Sequence, residues 1–225
     1  MLAIERAIAA GTELRSALVT PGKLSVLEAQ LEPLDTTVFV VDQEVMNCVT
    51  GFAIHRGAIA AAIRPPEPAL DELLGAPTIA VLEGVNDHEN LGALFRNAAA
   101  FGVGAMLLDP TTADPLYRRA VRVSLGHVLT VKHHRLQRWP EALTDIHEAG
   151  YEIVALTPSA GAQTIDELPR YGKVAFLLGA EGPGLSPEAL AAADHRVRIP
   201  IAASVDSLNV ATAAAIAFHH RFRGA

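Results

Sequence analysis

The chain has 225 residues, of which 50% are hydrophobic and 5% aromatic, and this is enough apolar material for one or two packed domains. Its single cysteine, Cys48, excludes a disulfide framework and favours the reducing environment of the cytoplasm. We expect no membrane span, because no apolar run reaches about 18 residues. We expect no signal peptide, because residues 1–6 offer neither a basic n-region nor a cleavable apolar core. The net charge of −7, taken alone, argues against a nucleic-acid partner.

The charge is unevenly distributed along the chain. Residues 1–75 hold ten acidic and five basic side chains, whereas residues 115–140 hold six Lys or Arg and no acidic residue. Such segregation predicts either a solvated basic face or a surface that contacts a polyanion.

The first 64 residues predict a small α/β unit. Helical patterns cover 2–10, 25–31, 43–49 and 57–63, an extended segment covers 16–19, and a buried strand covers 38–41. The sequence Arg64-Pro-Pro-Glu-Pro68 then breaks the pattern, because paired prolines suit neither helix nor sheet. We interpret 65–75 as a linker.

Regular alternation of strands and helices follows over 76–225. Strands are predicted at 78–83, 105–109, 128–132, 152–157, 174–179 and 196–201, and helices at 91–101, 115–125, 139–149, 187–192 and 208–222. The strands are short, continuous apolar runs, which are typical of a parallel sheet with helices on both faces.

Three polar clusters follow predicted strands, at 83–92, 179–186 and 199–210. Ligands of parallel α/β sheets bind beyond the carboxyl ends of the strands. The sequence therefore predicts one site built from these three clusters.

In the first cluster, Asn90 is a candidate helix N-cap, and Gly92 in the first turn indicates a close approach by a neighbouring group. Arg96 lies off the predicted buried stripe of that helix. Its guanidinium is either a phosphate ligand or an ordinary surface group.

The second cluster is a glycine-rich turn containing Gly179, Gly182 and Gly184. Their spacing fits neither a dinucleotide fingerprint, which excludes a nucleotide-dependent oxidoreductase, nor a P-loop. The turn is either purely structural or offers backbone amides to an adenine edge or a carboxylate, and Glu181 within it favours a site.

In the third cluster, Ser207 and Asn209 flank one turn before an almost wholly apolar helix. Such a helix must be buried on nearly every side, so we expect these polar groups to be rigidly held.

Other catalytic and metal-binding patterns are absent from the sequence. No histidine has a cysteine or carboxylate at metal-ligand spacing, so we expect no metal. No Gly-x-Ser-x-Gly elbow is present, which argues against a serine hydrolase.

The three clusters resemble the three motifs of the SpoU (TrmH-like) RNA 2'-O-ribose methyltransferases of the SPOUT superfamily. The matching segments are 90–102, 177–185 and 199–210, in that order, within 78–222. The resemblance implies an α/β catalytic domain over 76–225 with a mostly parallel sheet and a trefoil knot. It also implies S-adenosyl-L-methionine as cofactor and a homodimer. Residues 1–64 resemble an L30e-like RNA substrate-binding domain that is incomplete at its N-terminus.

Site residues follow from the resemblance by position. The implied catalytic residues are Asn90, Arg96, Glu181, Ser207 and Asn209. The implied cofactor-binding residues are Leu177, Gly179, Ala180, Gly182, Gly184, Ile199, Pro200, Ile201, Ser207 and Leu208. The basic segment supplies candidate RNA contacts at Arg118, Arg119, Arg122 and Arg135.

Arg96 would stabilise the developing ribose alkoxide electrostatically. A role as general base is the second choice, because a guanidinium holds its proton too tightly to be a good base. Asn97, Ala203 and the segment before Asn90 depart from the family pattern without removing a catalytic side chain. The implied activity is methylation of a ribose 2'-hydroxyl, with 23S rRNA favoured as substrate. The alternatives are a tRNA methyltransferase and a non-catalytic RNA-binding module.

Overall fold

The computed structural model describes residues 1–51, 53, 57–169 and 172–222. These residues form two compact units, Met1–Pro66 and Glu67–Ala225. Within the described ranges, no helix combines the length and the apolar character needed to cross a bilayer.

The N-terminal unit is a three-stranded sheet with helices. Its elements are α1 (Leu2–Ala9), β1 (Leu14–Val19), α2 (Pro21–Leu31), β2 (Thr37–Val40), α3 (Gln43–Thr50) and β3 (Ala58–Ala62). The strand order is β2-β1-β3, with β2 parallel and β3 antiparallel to β1. The core side chains are buried and include Leu14, Val19, Leu27, Leu31 and Met46.

Two predictions for this unit are wrong. The segment 57–63 is not a helix, because Ala58–Ala62 pairs along β1, with Ala60 opposite Ala17. Tertiary pairing here outweighs the helix propensity of alanine. The strand at 38–41 is not buried either, because β2 is an edge strand on which Phe39 is 52% exposed.

The C-terminal unit is built on a seven-stranded sheet. Its elements are α4 (Leu70–Leu73), β4 (Thr78–Glu83), α5 (His88–Ala100), β5 (Ala105–Leu108), α6 (Arg118–Val123), β6 (Lys132–Arg135), α7 (Ala142–Glu148), β7 (Tyr151–Leu156), β8 (Gln163–Thr164), β9 (Lys173–Gly179), α8 (Pro187–Ala191), β10 (His195–Arg198) and α9 (Val210–Phe222). The strand order is β6-β5-β4-β9-β7-β10-β8, and every neighbouring pair is parallel. The predicted α/β class with a mostly parallel sheet is confirmed. The segment predicted as a linker contains α4, whose Leu73 is buried.

The predicted strand at 128–132 is also wrong. His127–Leu129 forms a 3-10 turn after Gly126, whose φ of 89° only glycine adopts readily. The strand β6 comes later and is the polar run Lys132–Arg135, which lies at the sheet edge. The strand β8 was not predicted, because two residues are too few to show a hydrophobic pattern.

Helices cover both faces of the sheet, as predicted. On one face, Leu82 and Phe176 pack with Leu94 of α5 and Phe218 of α9, and on the other face the strand residues pack with Ile146 of α7. The helices α5 and α9 are also tied together by Asn97, whose Nδ2 donates to the Ala211 carbonyl at 2.8 Å. These two helices carry the first and third polar clusters.

The helix α9 is less enclosed within one chain than its sequence predicts. Ala214, Ala217 and Phe218 are fully or almost fully buried, but Ile216 is 37% and Phe222 is 53% exposed. One apolar side of α9 is therefore open to solvent in a single chain.

Candidate active site

The three polar clusters meet at the Asn209 side chain. Its Nδ2 donates to Asn90 Oδ1 at 2.8 Å and to Glu181 Oε1 at 2.7 Å. Its Oδ1 accepts hydrogen bonds from the backbone amides of Ala211 and Thr212. Asn209 therefore caps α9 and joins one residue from each of the other two clusters.

Asn90 reaches this position because α5 begins earlier than predicted. The N-cap of α5 is Asp87, whose Oδ1 accepts from the amides of Glu89 and Asn90 at 2.7 and 2.9 Å. The predicted N-cap at Asn90 is therefore wrong. Because Asp87 satisfies the free amides, the Asn90 side chain remains available for Asn209.

Gly92 makes the close approach that the sequence indicates. A Cβ at this position would lie 2.8 Å from the Ala120 carbonyl oxygen and 2.8 Å from Val123 Cβ. The approaching group is thus helix α6, which packs directly on α5.

The glycine-rich loop folds back on the end of β9. A Cβ on Gly179 would lie 2.4 Å from the carbonyl carbon of Gly184 and 2.5 Å from the Leu185 amide nitrogen. Ala180 and Gly184 form an antiparallel bridge, and Gly182 and Gly184 have φ values of 89° and 72°. The glycines are required by this reversal, which presents Glu181 at its outer turn.

A carboxylate that the sequence analysis did not single out fixes the far side of this loop. Glu83, at the end of β4, accepts from the Ser186 amide at 2.8 Å, from Ser186 Oγ at 2.7 Å and from Trp139 Nε1 at 2.7 Å. Ser186 is in turn the N-cap of α8. The only signal for this role was the place of Glu83 at the start of the first cluster.

Asp109 performs a similar task at the end of β5. Its Oδ1 accepts from the amides of Gly84 and Thr112 at 3.1 and 2.7 Å, and its Oδ2 accepts from Thr111 Oγ1 at 2.5 Å. Burial raises the pKa of this carboxyl, but the hydrogen bonds from Thr111, Thr112 and Gly84 outweigh burial and hold it below its usual value. Asp109 is therefore ionised at neutral pH and fixes the loop after β4.

Two clefts open on either side of Glu181. The first has a volume of about 780 Å³ and lies between the loops after β7, β9 and β10. The second has a volume of about 620 Å³ and lies between the loop after β4 and the glycine-rich loop. Both volumes lie within the range of small-molecule sites, roughly 300–1,000 Å³.

Most residues predicted to bind the cofactor line the first cleft. These are Gly179, Ala180, Gly182, Gly184, Ile199, Ile201, Ser207 and Leu208. The clefts do not include Leu177 or Pro200. Leu177 is fully buried among the apolar side chains beneath the sheet, so its side chain is unavailable to a ligand.

The structure does not bring Arg96 to the other four predicted catalytic residues. Arg96 lies about 9 Å along α5 from Asn90 and about 120° around it, and it lines neither cleft. Its side chain is exposed and makes no hydrogen bond within the described part of the chain. Asn90, Glu181 and Asn209 share hydrogen bonds, and Ser207 lines the first cleft beside them.

Of the predicted RNA contacts, Arg118, Arg119 and Arg122 are exposed on α6. Arg119 also pairs with Glu89, with Nη2 2.5 Å from Oε1. Arg135 is half-buried and donates to the carbonyls of Asp109, Thr112 and Ala113. Its guanidinium is therefore committed to the loop after β5, which argues against a contact with RNA.

In the part of the chain that the structure describes, no group of three or more His, Cys, Asp or Glu side chains could hold a metal ion.

Comparison with known proteins gives consistent results. The chain matches the SpoU rRNA Methylase family over residues 77–219. It is 45% identical to an uncharacterized tRNA/rRNA methyltransferase of Mycobacterium bovis, over 99% of this chain and 79% of that protein. It is 32% identical to a 23S rRNA (guanosine-2'-O-)-methyltransferase of Nitrosomonas europaea, over 85% of this chain and 75% of that protein.

A solved structure supports the same relationship. The AdoMet-bound rRNA methyltransferase of Sinorhizobium meliloti superposes with a TM-score of 0.85 and 26% identity, over 99% of this chain and 84% of that one. The fold, the three meeting clusters and these matches together establish that the chain belongs to the SpoU rRNA methylase family, whose members are RNA methyltransferases that use S-adenosyl-L-methionine.

Proposed function

We propose that this methyltransferase modifies a ribose 2'-hydroxyl of structured rRNA, 23S rRNA in particular, in the cytoplasm. The observation that carries the proposal is the Asn209 amide, which holds Asn90 and Glu181 together at the edge of a cleft large enough for a cofactor. The 23S rRNA ribose specificity in the name of the Nitrosomonas relative supports the choice of substrate.

The first cleft fits S-adenosyl-L-methionine. Its walls include the glycine-rich reversal after β9 and the apolar residues Ile199, Ile201 and Leu208. Such a wall offers exposed backbone amides and carbonyls for the polar edges of a nucleoside and apolar surface for its ring. When bound, the cofactor supplies a methyl group activated by a sulfonium charge, so the chemistry requires no metal.

The chain's own residues then have to position and polarise the ribose hydroxyl. Asn209 fixes one carboxylate oxygen of Glu181, which leaves Oε2 to accept a hydrogen bond from a hydroxyl. Asn90 Oδ1 is held by the same amide, which leaves its Nδ2 as a donor, and Ser207 offers a third polar group in the cleft. Holding the nucleophile in line in this way can lower the barrier by several kcal/mol, up to about 7–11 in favourable systems.

We also propose that the active form is a homodimer in which a second copy supplies Arg96. The proposal rests on the position of Arg96 outside both clefts and on the open apolar side of α9. Arg96 would stabilise the developing alkoxide electrostatically, and proton acceptance is its second possible role. The family's trefoil knot, with the last helix tucked through a preceding loop, is part of the same proposal.

Mixed dimers test this arrangement. Neither Arg96→Ala nor Asn209→Ala homodimers should be active. The mixed dimer has one site with both residues intact, so we expect it to recover about half of the wild-type activity. Recovery of no activity in the mixed dimer would show that Arg96 does not act across two copies.

We propose that Arg118, Arg119 and Arg122 contact RNA phosphates. Replacing all three with alanine should weaken binding to every RNA and reduce the slope of log K against log salt by about 0.7–0.9 per lost contact. The matched control is Arg138→Ala, because Arg138 is exposed and basic but lies outside α6. An unchanged slope in the triple variant would contradict the assignment.

For residues 1–64 we propose an L30e-like role in choosing the RNA, and this favours rRNA over the alternative of tRNA. Ribose methylation should be mapped by mass spectrometry on rRNA and tRNA from cells with and without the gene. Loss of one methyl group from 23S rRNA is the expected result. Loss from a tRNA alone would support the alternative substrate, and no loss from any RNA would support a non-catalytic RNA-binding module.

A further inference from the structure

Tyr117 is an exposed aromatic residue to which the site described above gives no role. It precedes the first residue of α6, and 47% of its surface is exposed. The His88 ring lies behind it, with ring centroids 4.3 Å apart and an angle of 44° between the planes. The tyrosine ring is thus supported by a second ring while much of its surface remains open.

Both rings are mounted on fixed backbone. The Tyr117 amide donates to the Asp114 carbonyl, and the Tyr117 carbonyl accepts from the Val121 amide, each at 3.1 Å. His88 is the first residue of α5, directly after the Asp87 cap. The near contact of Gly92 with Ala120 fixes α5 against α6. Little conformational entropy remains to be lost when a ligand stacks on the tyrosine.

Arginines lie beside the ring. Arg118 and Arg119 follow it directly and Arg122 lies one turn further along, and Arg119 pairs with Glu89, which adjoins His88. An open aromatic ring beside arginines is the combination with which proteins bind unpaired bases, because each base offers a π-face and each nucleotide a phosphate.

The platform shares helix α5 with Asn90 of the candidate active site. His88 precedes Asn90 by two residues, a rise of about 3 Å along the helix axis and a rotation of about 200° around it, so the two side chains point to opposite sides of α5. A base stacked on Tyr117 would therefore lie across the N-terminus of α5 from the ribose that faces Asn90 and Glu181.

We propose that Tyr117, supported by His88, is a stacking platform for an unpaired base of the RNA substrate, outside the candidate active site. This inference rests on the proposed function, because it names a contact of the same RNA substrate. It requires the bound RNA to include a loop or another unpaired segment, since a base within a duplex cannot expose its face.

The test compares Tyr117→Leu, which removes the π-face and keeps much of the bulk, with Tyr117→Phe, which keeps the ring. Binding of the full chain to a labelled single-stranded oligoadenylate and to a fully paired RNA hairpin is measured by fluorescence anisotropy without cofactor. We expect Tyr117→Leu to raise the Kd for oligoadenylate by about 5- to 150-fold, and Tyr117→Phe to change it by less than about 2-fold. The hairpin Kd and the salt slope should not change, because no charge is lost.

Wild-type affinity of Tyr117→Leu for oligoadenylate, or an equal loss for the hairpin, would overturn the platform. A measurement on the unmodified protein guards against misfolding of the variant. Photocrosslinking of 4-thiouridine-containing single-stranded RNA should label the peptide that carries Tyr117, and labelling only elsewhere would overturn the proposal. Because these assays need no methyl transfer, the platform and the proposed methylation can fail independently.

Discussion

Replacing Asn209 with aspartate tests the reasoning about the site with almost no change in side-chain shape. The Oδ1 atom would still accept from the amides of Ala211 and Thr212, so the cap of α9 is kept. The donor Nδ2 would become an oxygen, and that oxygen would face Glu181 Oε1 at about 2.7 Å and Asn90 Oδ1 at about 2.8 Å. Two attractive contacts would become repulsive.

The size of the effect follows from those distances. Two unit charges 2.7 Å apart repel by about 1.5 kcal/mol in the dielectric of water, and this value applies because both side chains are exposed. The two lost hydrogen bonds are worth about 0.5–1.5 kcal/mol each. Because the exposed side chains can rotate apart, we expect a total of about 2–3 kcal/mol, or a loss of about 30- to 150-fold in kcat/KM.

The assay is methyl transfer to RNA as a function of pH, together with thermal unfolding. Asn209→Asp should keep its Tm and should recover activity as the pH falls, because protonation of the introduced carboxyl restores a donor towards Glu181. Asn209→Ala is the control: it should not recover at low pH, and loss of the cap should cost about 1 kcal/mol and lower Tm by about 2–4 °C. Wild-type activity of Asn209→Asp at neutral pH would refute the reasoning.

Three further changes follow from the structure. Gly179→Ala would place a methyl group 2.4 Å from the backbone of the glycine-rich loop, so calorimetry should show a cofactor affinity at least about 10-fold weaker. The control Gly161→Ala, where a methyl group would meet no atom within 4 Å, should bind the cofactor normally, and equal affinities of the two variants would contradict the loop geometry. Gly92→Ala gains about 1 kcal/mol of helix propensity, but its methyl group would lie 2.8 Å from atoms of α6. Urea unfolding should therefore show a net loss of about 1–2 kcal/mol in the free energy of unfolding, and a stabilised variant would argue against the tight contact between α5 and α6. The pKa of Asp109 is lower in the folded than in the unfolded state, so its contribution to stability is present above the unfolded pKa and is lost as the pH falls below about 4. Asp109→Asn should reduce stability at about pH 7 and flatten this acid dependence, and parallel curves of stability against pH for the two proteins would contradict the assignment.

The parallel sheet was predictable because its central strands are continuous apolar runs. Elements at the edges were not, since β6 is a polar run that pairs on one side only and β3 is an alanine segment that would suit a helix in isolation. In both cases the pairing partner decided the structure, and it lies elsewhere in the chain.

The residues of the candidate site were predictable from the sequence, but the hydrogen bonds that join them were not. The sequence singled out Asn90, Glu181 and Asn209, because polar and glycine-rich clusters follow apolar strands. It could not indicate that one amide joins all three, nor that Glu83 and Asp109 hold the loops, because these contacts span up to 119 residues. Asp87 was the exception: it is itself a preferred capping residue, and its position directly before the helix was a usable signal.

The most direct test of the central claim is transfer of a labelled methyl group from S-adenosyl-L-methionine to unmodified 23S rRNA by the purified chain, followed by mass spectrometry of the digested nucleosides. The account predicts one 2'-O-methylated nucleoside in the wild-type reaction and its near loss with Asn209→Asp. Methylation of a base instead of a ribose, or an Asn209→Asp variant as active as the wild type, would contradict it.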